Sequence, residues 1–358
     1  MNGSATPVSV MVVDDSAIVR GLITRTLKGD PRIDVVASCS NGEMAVVQAA
    51  KRALDVVILD IEMPVMDGLT ALPKLQQANP GARIIMASTL TQRNAAVSLR
   101  AMALGAADYI AKPTTDRLNA NEEFHRDLIQ KVVALGQAKR PKPSPEASAQ
   151  PAAKLNMVAR GRTMRPPRII AIGSSTGGPQ ALLALLGALS PKVSCPIVIA
   201  QHMPATFTTV LAQHIERASG RPSCEAATGM EIKPGHIYLA PGDYHFEIVR
   251  DGAGFAARLS QTPPQNFCRP SVDPLFHSVA QIFGAESCAI MLTGMGSDGC
   301  GGAKAIAAAG SPVIAQDEAT SVVWGMPGAV AQAGICSAIL PLPKIAGHVA
   351  ALFESAAP

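Results

Sequence analysis

The sequence contains no uninterrupted apolar run that approaches the roughly 18 residues needed to cross a membrane. Residues 1–7 also lack the apolar core of a secretory signal peptide. We therefore expect a protein that is not embedded in a membrane and that reaches any membrane-associated substrate from the aqueous side.

Cysteine pairs with the C-x-x-C spacing of zinc sites and redox motifs are absent from the sequence. The seven cysteines are scattered and odd in number, which does not fit a disulfide framework. They stand at positions 39, 195, 224, 268, 288, 300 and 336. This pattern favours reduced thiols and a cytoplasmic location.

Charged residues are also scarce, at 16% of the chain, whereas hydrophobic residues make up 48%. This balance excludes a disordered chain, and 358 residues suffice for two domains with separate cores. The net charge is only +4, and many cations stand in or beside one central stretch. These are Lys139, Arg140, Lys142, Lys154, Arg160, Arg162, Arg165 and Arg168. We interpret them as a solvated basic linker, and we expect no nucleic-acid partner.

Short apolar runs alternate with helical periodicity over two parts of the chain, residues 1–135 and 168–358. In the first part, strands are predicted at residues 8–13, 33–37, 55–60, 83–87 and 108–111. In the second part they are predicted at residues 169–172, 196–200, 236–240, 246–249, 288–293, 313–316 and 338–340. Strands that alternate with helices indicate two doubly wound α/β domains with mainly parallel sheets.

The stretch between these domains, residues 136–167, is rich in proline, alanine and basic residues. Prolines deny it regular structure, and small polar residues deny it a core. We interpret it as a tether that keeps the two domains close while they dock or separate.

Three carboxylates stand where strands of the first domain end, namely Asp14, Asp15 and Asp60. Because the carboxyl ends of parallel strands meet at one edge, these groups should repel one another and favour a hard divalent cation such as Mg²⁺. Lys112 and Ser88 follow two further strands and could bind a phosphoryl group on a nucleophilic carboxylate. A single strand-end aspartate is usually a turn residue or helix cap, but the full set favours phosphoryl chemistry.

The first domain resembles the receiver domain of two-component response regulators. The shared motifs are V-V-D-D-S at residues 12–16, L-D-I-E-M-P-V-M-D-G at 59–68, A-S at 87–88 and Y-I-A-K-P at 109–113. The resemblance implies that Asp60 accepts a phosphoryl group from a histidine-kinase partner, and that Asp14 and Asp15 help to hold Mg²⁺. It assigns the reading of the phosphoryl group to three further side chains, Lys112, Ser88 and Tyr109.

In the second domain, the segment G-S-S-T-G at residues 173–177 follows a predicted buried strand. We expect a tight turn over residues 173–179 and a helix over residues 181–189. The segment fits G-x-S-x-G, a pattern that exposes a serine hydroxyl on a sharp strand-to-helix bend. A glycine-rich turn can equally cradle a phosphate, so the turn by itself leaves both possibilities open.

Two other strand ends favour the serine interpretation, because His202 and Asp298 follow predicted strands of the same sheet. Together with Ser175 they supply a nucleophile, a general base and an orienting carboxylate for attack on an acyl carbon. The glycine-rich turn around Met295 offers backbone amides for an oxyanion hole. Each residue alone could be a cap, a packed histidine or a turn former, but their coincidence favours a catalytic triad.

The second domain resembles the chemotaxis protein-glutamate methylesterases. The shared motifs are I-G-S-S-T-G-G-P at residues 172–179, Q-H-M-P at 201–204, A-P-G-D at 240–243, R-P-S-V-D at 269–273, L-T-G-M-G-S-D-G at 292–299 and W-G-M-P at 324–327. The resemblance implies hydrolysis of glutamate methyl esters on the cytoplasmic signalling domains of chemoreceptors, deamidation of glutamines there, and ester chemistry without a cofactor. The matching positions are Ser175, His202 and Asp298 for the triad, Met295 for oxyanion stabilisation, and Thr176 beside the nucleophile.

One position departs from the family pattern, because family members usually carry alanine where this chain has Ser174. Two adjacent serines are therefore candidates for the nucleophile. The register of G-x-S-x-G selects Ser175, since choosing Ser174 would put Ile172 where the first glycine belongs. Arg269 could bind a substrate carboxylate, although a structural ion pair is the favoured interpretation.

The leading hypothesis is a phosphorylation-controlled esterase in which the unphosphorylated receiver covers the edge of the sheet that carries Ser175. The rival hypotheses are a response regulator whose output domain binds a nucleotide or DNA. The glycine turn lacks the G-x-G-x-x-G and P-loop patterns, and no helix-turn-helix signature is present. Neither rival hypothesis explains why His202 and Asp298 follow strands of the same sheet as Ser175.

Overall fold

The computed structural model describes residues 6–112, 118–138 and 166–354. The chain divides into two compact units, Met1–Glu146 and Ala147–Pro358. Most of the expected tether lies outside the described residues, so its boundaries stay predictions.

The first unit contains a five-stranded parallel sheet with helices between the strands. The strands are β1 (Val8–Val13), β2 (Ile33–Cys39), β3 (Val56–Asp60), β4 (Arg83–Ser88) and β5 (Asp108–Ala111). The helices are α1 (Ala17–Lys28), α2 (Gly42–Ala49), α3 (Gly68–Ala78), α4 (Gln92–Ala103) and α5 (Leu118–Ala138). The strand order is β2-β1-β3-β4-β5.

The central strands of this sheet are buried on both faces, which explains why they are continuous apolar runs. All five residues of β3 are buried, and its last residue is Asp60. β1 ends one residue before Asp14, and α1 begins three residues later. The Ser16 hydroxyl oxygen accepts a hydrogen bond from the Val19 amide at 3.4 Å and caps α1. The acidic residues therefore lie at one edge of the sheet.

The second unit contains a seven-stranded parallel sheet and an antiparallel hairpin. The sheet strands are β6 (Ile169–Ser174), β7 (Ile197–Gln201), β8 (Ser223–Glu225), β9 (Ile237–Leu239), β12 (Ser287–Met291), β13 (Val313–Gln316) and β14 (Ala338–Leu340), and the hairpin is β10 (His245–Asp251) and β11 (Gly254–Ser260). The helices are α6 (Gly178–Gly187), α7 (Ala205–Ser219), α8 (Val272–Phe283), α9 (Cys300–Ala308), α10 (Met326–Gln332) and α11 (Leu342–Glu354). The strand order is β14-β13-β12-β6-β7-β9-β8.

The predicted fold class, two α/β domains with mainly parallel sheets, is confirmed. The predicted turn over residues 173–179 was wrong in extent, because Gly173 and Ser174 pair with Ala200 and Gln201 and so continue β6. The next helix begins at Gly178 instead of residue 181. None of the described helices combines the length and the apolar character that crossing a membrane requires.

Candidate functional site

The bend that presents Ser175 lies between β6 and α6. Gly177 is the N-cap residue of α6 and has a φ of 74°, a left-handed conformation that favours glycine. The Ser175 amide donates a hydrogen bond to the Thr293 carbonyl at 3.0 Å, and the Gly178 amide bonds to the Ser175 carbonyl at 2.7 Å. These bonds hold a half-buried serine at the start of a helix, as the G-x-S-x-G pattern predicts.

The neighbouring Ser174 has a different environment. Its side chain is fully buried, and its hydroxyl donates a hydrogen bond to Gln201 Oε1 at 2.6 Å. The side-chain nitrogen of Gln201, Nε2, in turn donates to the Ser175 carbonyl at 2.9 Å. Ser174 therefore links β6 to β7 and supports the bend, whereas Ser175 is partly exposed to solvent.

His202 is brought beside the serine by strand register. Ser174 pairs with Gln201 at the ends of β6 and β7, so Ser175 and His202 are the first residues after these neighbouring strands. The His202 amide donates to the Ser174 carbonyl at 3.1 Å. Within the described part of the chain, no hydrogen bond joins the Ser175 hydroxyl to the imidazole.

Asp298 binds the histidine and is itself surrounded by donors. Its Oδ2 lies 2.7 Å from His202 Nε2 and 2.6 Å from the Val272 amide nitrogen. Its Oδ1 accepts hydrogen bonds from the Ser271 hydroxyl at 2.6 Å and from Asn266 Nδ2 at 2.8 Å. Burial would raise the pKa of Asp298, but His202, the Ser271 hydroxyl and the Val272 amide lower this pKa to about 2. Asp298 is therefore an ionised, fixed partner for the imidazole.

The electrostatic surroundings of His202 favour its charged form. Burial lowers the pKa of His202, but Cys268 and Asp298 outweigh burial and raise this pKa above its ordinary value. With Nε2 bonded to Asp298, Nδ1 is the ring nitrogen left for proton transfer, and Cys268 Sγ lies 3.4 Å from it.

The turn after β12 approaches the serine closely. A Cβ atom on Gly294 would lie 2.8 Å from Ser175 Cβ, so only glycine fits this position without displacing the nucleophile. Among the described residues, the Met295 amide donates no hydrogen bond to the protein. A free amide beside the serine is the feature that an oxyanion hole requires.

Arg269 forms a structural ion pair, as expected from the sequence. Its Nη2 and Nε lie 2.6 Å and 3.0 Å from Asp243 Oδ1, and its Nη1 donates to the carbonyl of Thr262 at 3.1 Å. The guanidinium of Arg269 therefore donates its hydrogen bonds to groups of the same domain.

The first unit brings its acidic residues together at the predicted edge. Carboxylate oxygens of Asp14, Asp15 and Asp60 lie within 4.8 Å of one another. Lys112 Nζ lies 2.7 Å from both Asp14 Oδ2 and Asp60 Oδ1. Burial raises the pKa of Asp60, although Lys112 partly opposes this effect. A cluster of oxygen ligands with excess negative charge fits a divalent cation.

The remaining predicted residues of this unit differ in their position. Ser88 is buried at the end of β4 and lines a cleft of about 300 Å³ that Asp60 and Lys112 also line. Tyr109 lies inside β5 and is buried, with Lys131 Nζ 4.8 Å from the centre of its ring. The structure thus places Ser88 at the acidic cluster and Tyr109 on the neighbouring strand.

Several residues that contact His202, Asp298 or the Ser175 bend were not predicted from the sequence. Ser271 belongs to the R-P-S-V-D motif, which could have pointed to it, and Gln201 immediately precedes His202. Asn266 and Cys268 carry no recognisable signal, because they reach the triad from a turn that periodicity does not reveal.

Comparison with known proteins finds two family models along the chain. The model described as CheB methylesterase matches residues 170–349, and the model described as response regulator receiver domain matches residues 10–121.

Sequence similarity to known proteins extends over nearly the whole chain. The chain is 54% identical to the protein-glutamate methylesterase/protein-glutamine glutaminase 1 of Paramagnetospirillum magneticum, over 95% of this chain and 94% of that protein. It is 51% identical to the protein-glutamate methylesterase/protein-glutamine glutaminase of Azospirillum brasilense, over 96% of this chain and 92% of that protein. Among solved structures, the CheB methylesterase catalytic domain of Thermotoga maritima is 38% identical and has a TM-score of 0.51, covering 52% of this chain and 100% of that chain.

Proposed function

Since the chain belongs to the CheB methylesterase family and carries a receiver domain before its esterase domain, we propose that it hydrolyses glutamate methyl esters of chemoreceptors. It also deamidates glutamine side chains there, and it acts in chemotactic adaptation under the control of phosphorylation. The observation that carries the catalytic assignment is the Asp298–His202 pair, joined at 2.7 Å, beside a serine on the adjacent strand end.

The geometry supports the following esterase reaction. Ser175 Oγ attacks the ester carbonyl carbon, and its proton passes to His202 Nδ1, because Nε2 is bonded to Asp298. The tetrahedral intermediate collapses, the bond to the methoxy oxygen breaks, and His202 returns the proton so that methanol leaves. Water then attacks the acyl-enzyme by the same route, which yields a glutamate carboxylate and restores the serine. A glutamine side chain would release ammonia in place of methanol.

Two other features support this chemistry. Asp298 keeps the Nε2–H tautomer of His202 and stabilises the imidazolium that forms, and a general base of this kind typically contributes ~10² to 10⁴ in rate. The Met295 amide is the proposed donor to the developing oxyanion, and losing one such donor typically costs ~10² to 10³ in kcat. Thr176 is buried beside the nucleophile and is proposed to support its position.

In the receiver domain, we assign phosphoryl acceptance to Asp60 and the metal-binding role to Asp14, Asp15 and Asp60. The metal would be Mg²⁺, which supplies positive charge to the phosphoryl oxygens when bound. Lys112, with its two short contacts to Asp14 and Asp60, is placed to pair with the phosphoryl group once Asp60 carries it. Ser88 and Tyr109 are the proposed readers of that state.

The partners follow from these two activities. The phosphodonor is a chemotaxis histidine kinase, and the substrates are cytoplasmic signalling domains of chemoreceptors. We propose domain limits of 1–135 for the receiver and 168–358 for the esterase, with residues 136–167 as the tether, and a cytoplasmic location. An output domain that binds a nucleotide or DNA is not favoured, because it leaves the His202–Asp298 pair unexplained.

Methanol release from methylated receptor fragments tests the catalytic assignment. The unaltered protein should release methanol, whereas the Ser175→Ala variant should release none above the uncatalysed rate. Comparable release by both proteins would remove the serine from the mechanism.

A further inference from the structure

A tight turn over residues 265–268, the 265–268 turn, contacts both the base and the carboxylate of the triad. The Gln265 amide donates to the Cys268 carbonyl at 3.1 Å, and the Cys268 amide donates to the Gln265 carbonyl at 2.8 Å. The two central residues, Asn266 and Phe267, have φ values of 52° and 63°. Two positive φ values in a two-residue turn are the pattern of type I′ turns.

The backbone of this turn is unusual for its residues. Asparagine adopts the left-handed region readily, but the second central position of a type I′ turn is normally glycine, and here it is Phe267. Phe267 is 75% exposed, so core packing does not explain its presence. Such backbone conformations concentrate at functional sites, where the surroundings hold them in place.

The turn delivers one side chain to the Asp298 carboxylate. Asn266 Nδ2 lies 2.8 Å from Asp298 Oδ1 and 3.0 Å from Asp273 Oδ2. The amide therefore bridges the catalytic carboxylate and a carboxylate at the start of α8. A donor at this position fixes the carboxylate plane and reduces the negative charge that His202 experiences.

The turn delivers a second side chain to the imidazole. Cys268 Sγ lies 3.4 Å from His202 Nδ1, on the ring nitrogen that Asp298 does not bind. In the neutral imidazole this nitrogen is an acceptor and the thiol donates to it, whereas in the imidazolium it is a donor and the sulfur accepts. A thiol is a weak donor, and a serine hydroxyl that approaches with substrate can replace it.

We propose that two residues of the 265–268 turn are positioning residues of the esterase: Asn266 orients Asp298, and Cys268 orients His202 until the serine hydroxyl takes over Nδ1. This inference rests on the proposed esterase function and adds two residues to it. Asn266 acts on Asp298, and Cys268 acts on the ring nitrogen that later accepts the serine proton, so both act through the triad.

Other charged and titratable groups lie on the elements packed around this pair. On the neighbouring elements these groups are Asp298, Cys268, Asp273, Arg269, Asp243 and His245. The test therefore changes Asn266 and Cys268. It leaves Asp298, Asp273, Arg269, Asp243 and His245 in place.

The pH dependence of kcat/KM for methanol release, measured on the full chain, separates positioning from simple support of the fold. Asn266→Gly keeps the left-handed backbone and removes the side-chain hydrogen bonds to Asp298 and Asp273, so kcat should fall about tenfold with KM unchanged. The acid midpoint of kcat/KM should move to higher pH, because a less neutralised Asp298 stabilises the imidazolium more. Asn266→Asp, which has the same volume but cannot donate, should move the midpoint further in the same direction.

Cys268 is tested by a pair of variants. Cys268→Ala should lower kcat several-fold, and Cys268→Ser should restore most of it, because a hydroxyl also donates to Nδ1. Phe267→Gly is the matched control in the same turn, and it should keep both the midpoint and kcat of the unaltered protein.

The outcomes separate this inference from the proposed function. If the unaltered protein releases methanol and Ser175→Ala does not, the proposed function stands. In that case, an unchanged kcat and acid midpoint in both Asn266 variants and in Cys268→Ala would overturn the positioning role. An equal loss in Phe267→Gly would overturn it as well, because the turn would then act only as a structural support.

Discussion

Two adjacent serines differ in their surroundings, and this difference favours Ser175 as the proposed nucleophile. Ser174 lies in β6 and donates to Gln201, so it is part of the contact between β6 and β7. Ser175 is half-buried beyond the strand, where the backbone turns into α6. The motif register and the structure therefore agree on Ser175.

Replacing each serine by alanine should give opposite results. Ser175→Ala removes the attacking oxygen and should abolish methanol release from methylated receptor fragments. Ser174→Ala removes one buried hydrogen bond, so it should cost about 1 kcal/mol of stability and leave most of the activity. Release and thermal unfolding would be measured for both variants, and an inactive Ser174→Ala with normal unfolding would reverse the assignment.

The protonation of His202 predicts how activity depends on pH. The base must be neutral to accept the serine proton, and its pKa is raised above the ordinary value of 6.5. Activity should therefore be lost as pH falls, with an acid midpoint in kcat/KM above 6.5. A pH profile of the unaltered protein checks this, and a midpoint below that value would show that the partners do not stabilise the charged ring.

The grouping of Ser175, His202 and Asp298 could be predicted from sequence because all three follow strands of one parallel sheet. Ser175 and His202 each stand one residue beyond a strand, and strand ends are visible as the end of an apolar run. Asn266 and Cys268 could not be predicted, since the turn that carries them has no periodicity and its function depends on side-chain geometry alone.

At the scale of elements, the strands that read as continuous apolar runs were predicted well, because both of their faces are buried. The short edge strand β8 and the partly exposed β11 were missed, since each lacks such a run. The end of β6 was missed because Gly173 and Ser174 resemble turn residues, whereas their pairing with β7 extends the strand.

The turn after β12 places a steric requirement on one glycine. A Cβ on Gly294 would meet Ser175 Cβ at 2.8 Å and the Met326 sulfur more closely still. Gly294→Ala should therefore displace the nucleophile and lower kcat by at least ~10-fold, as expected for small misplacements of reacting groups.

Gly347→Ala provides the matched control for that variant. Gly347 lies in α11, where an added Cβ meets nothing within 4 Å. This substitution should keep full activity and stabilise the helix by roughly 0.5–1 kcal/mol. Equal activity of the two variants would refute the steric requirement at Gly294.

At the scale of the whole molecule, two chemistries are divided between two units. Asp60 and its acidic neighbours, the proposed phosphoryl site, lie in the first unit, and Ser175 with His202 and Asp298, the proposed esterase site, lies in the second. The family and the fold class could be predicted from sequence motifs, because these motifs mark the strand ends that carry the chemistry. Control of one unit by the other needs little energy, since a tenfold change in accessible enzyme requires about 1.4 kcal/mol.

Removing the receiver tests whether it restricts access to the esterase site. If the unphosphorylated receiver covers that site, a chain without residues 1–150 should release methanol faster than the unphosphorylated full-length protein. Initial rates at equal concentration would be compared on the same receptor fragments. A truncated chain that folds but is no faster would exclude steric inhibition.

The central claim is that phosphorylation of Asp60 controls hydrolysis at Ser175. The most direct measurement is methanol release from methylated receptor fragments by the full-length protein, with and without a small-molecule phosphodonor and Mg²⁺. The phosphodonor should accelerate release by the unaltered protein, and Asp60→Asn should keep a basal rate that the phosphodonor does not change. Equal acceleration of both proteins, or of neither, would contradict this claim.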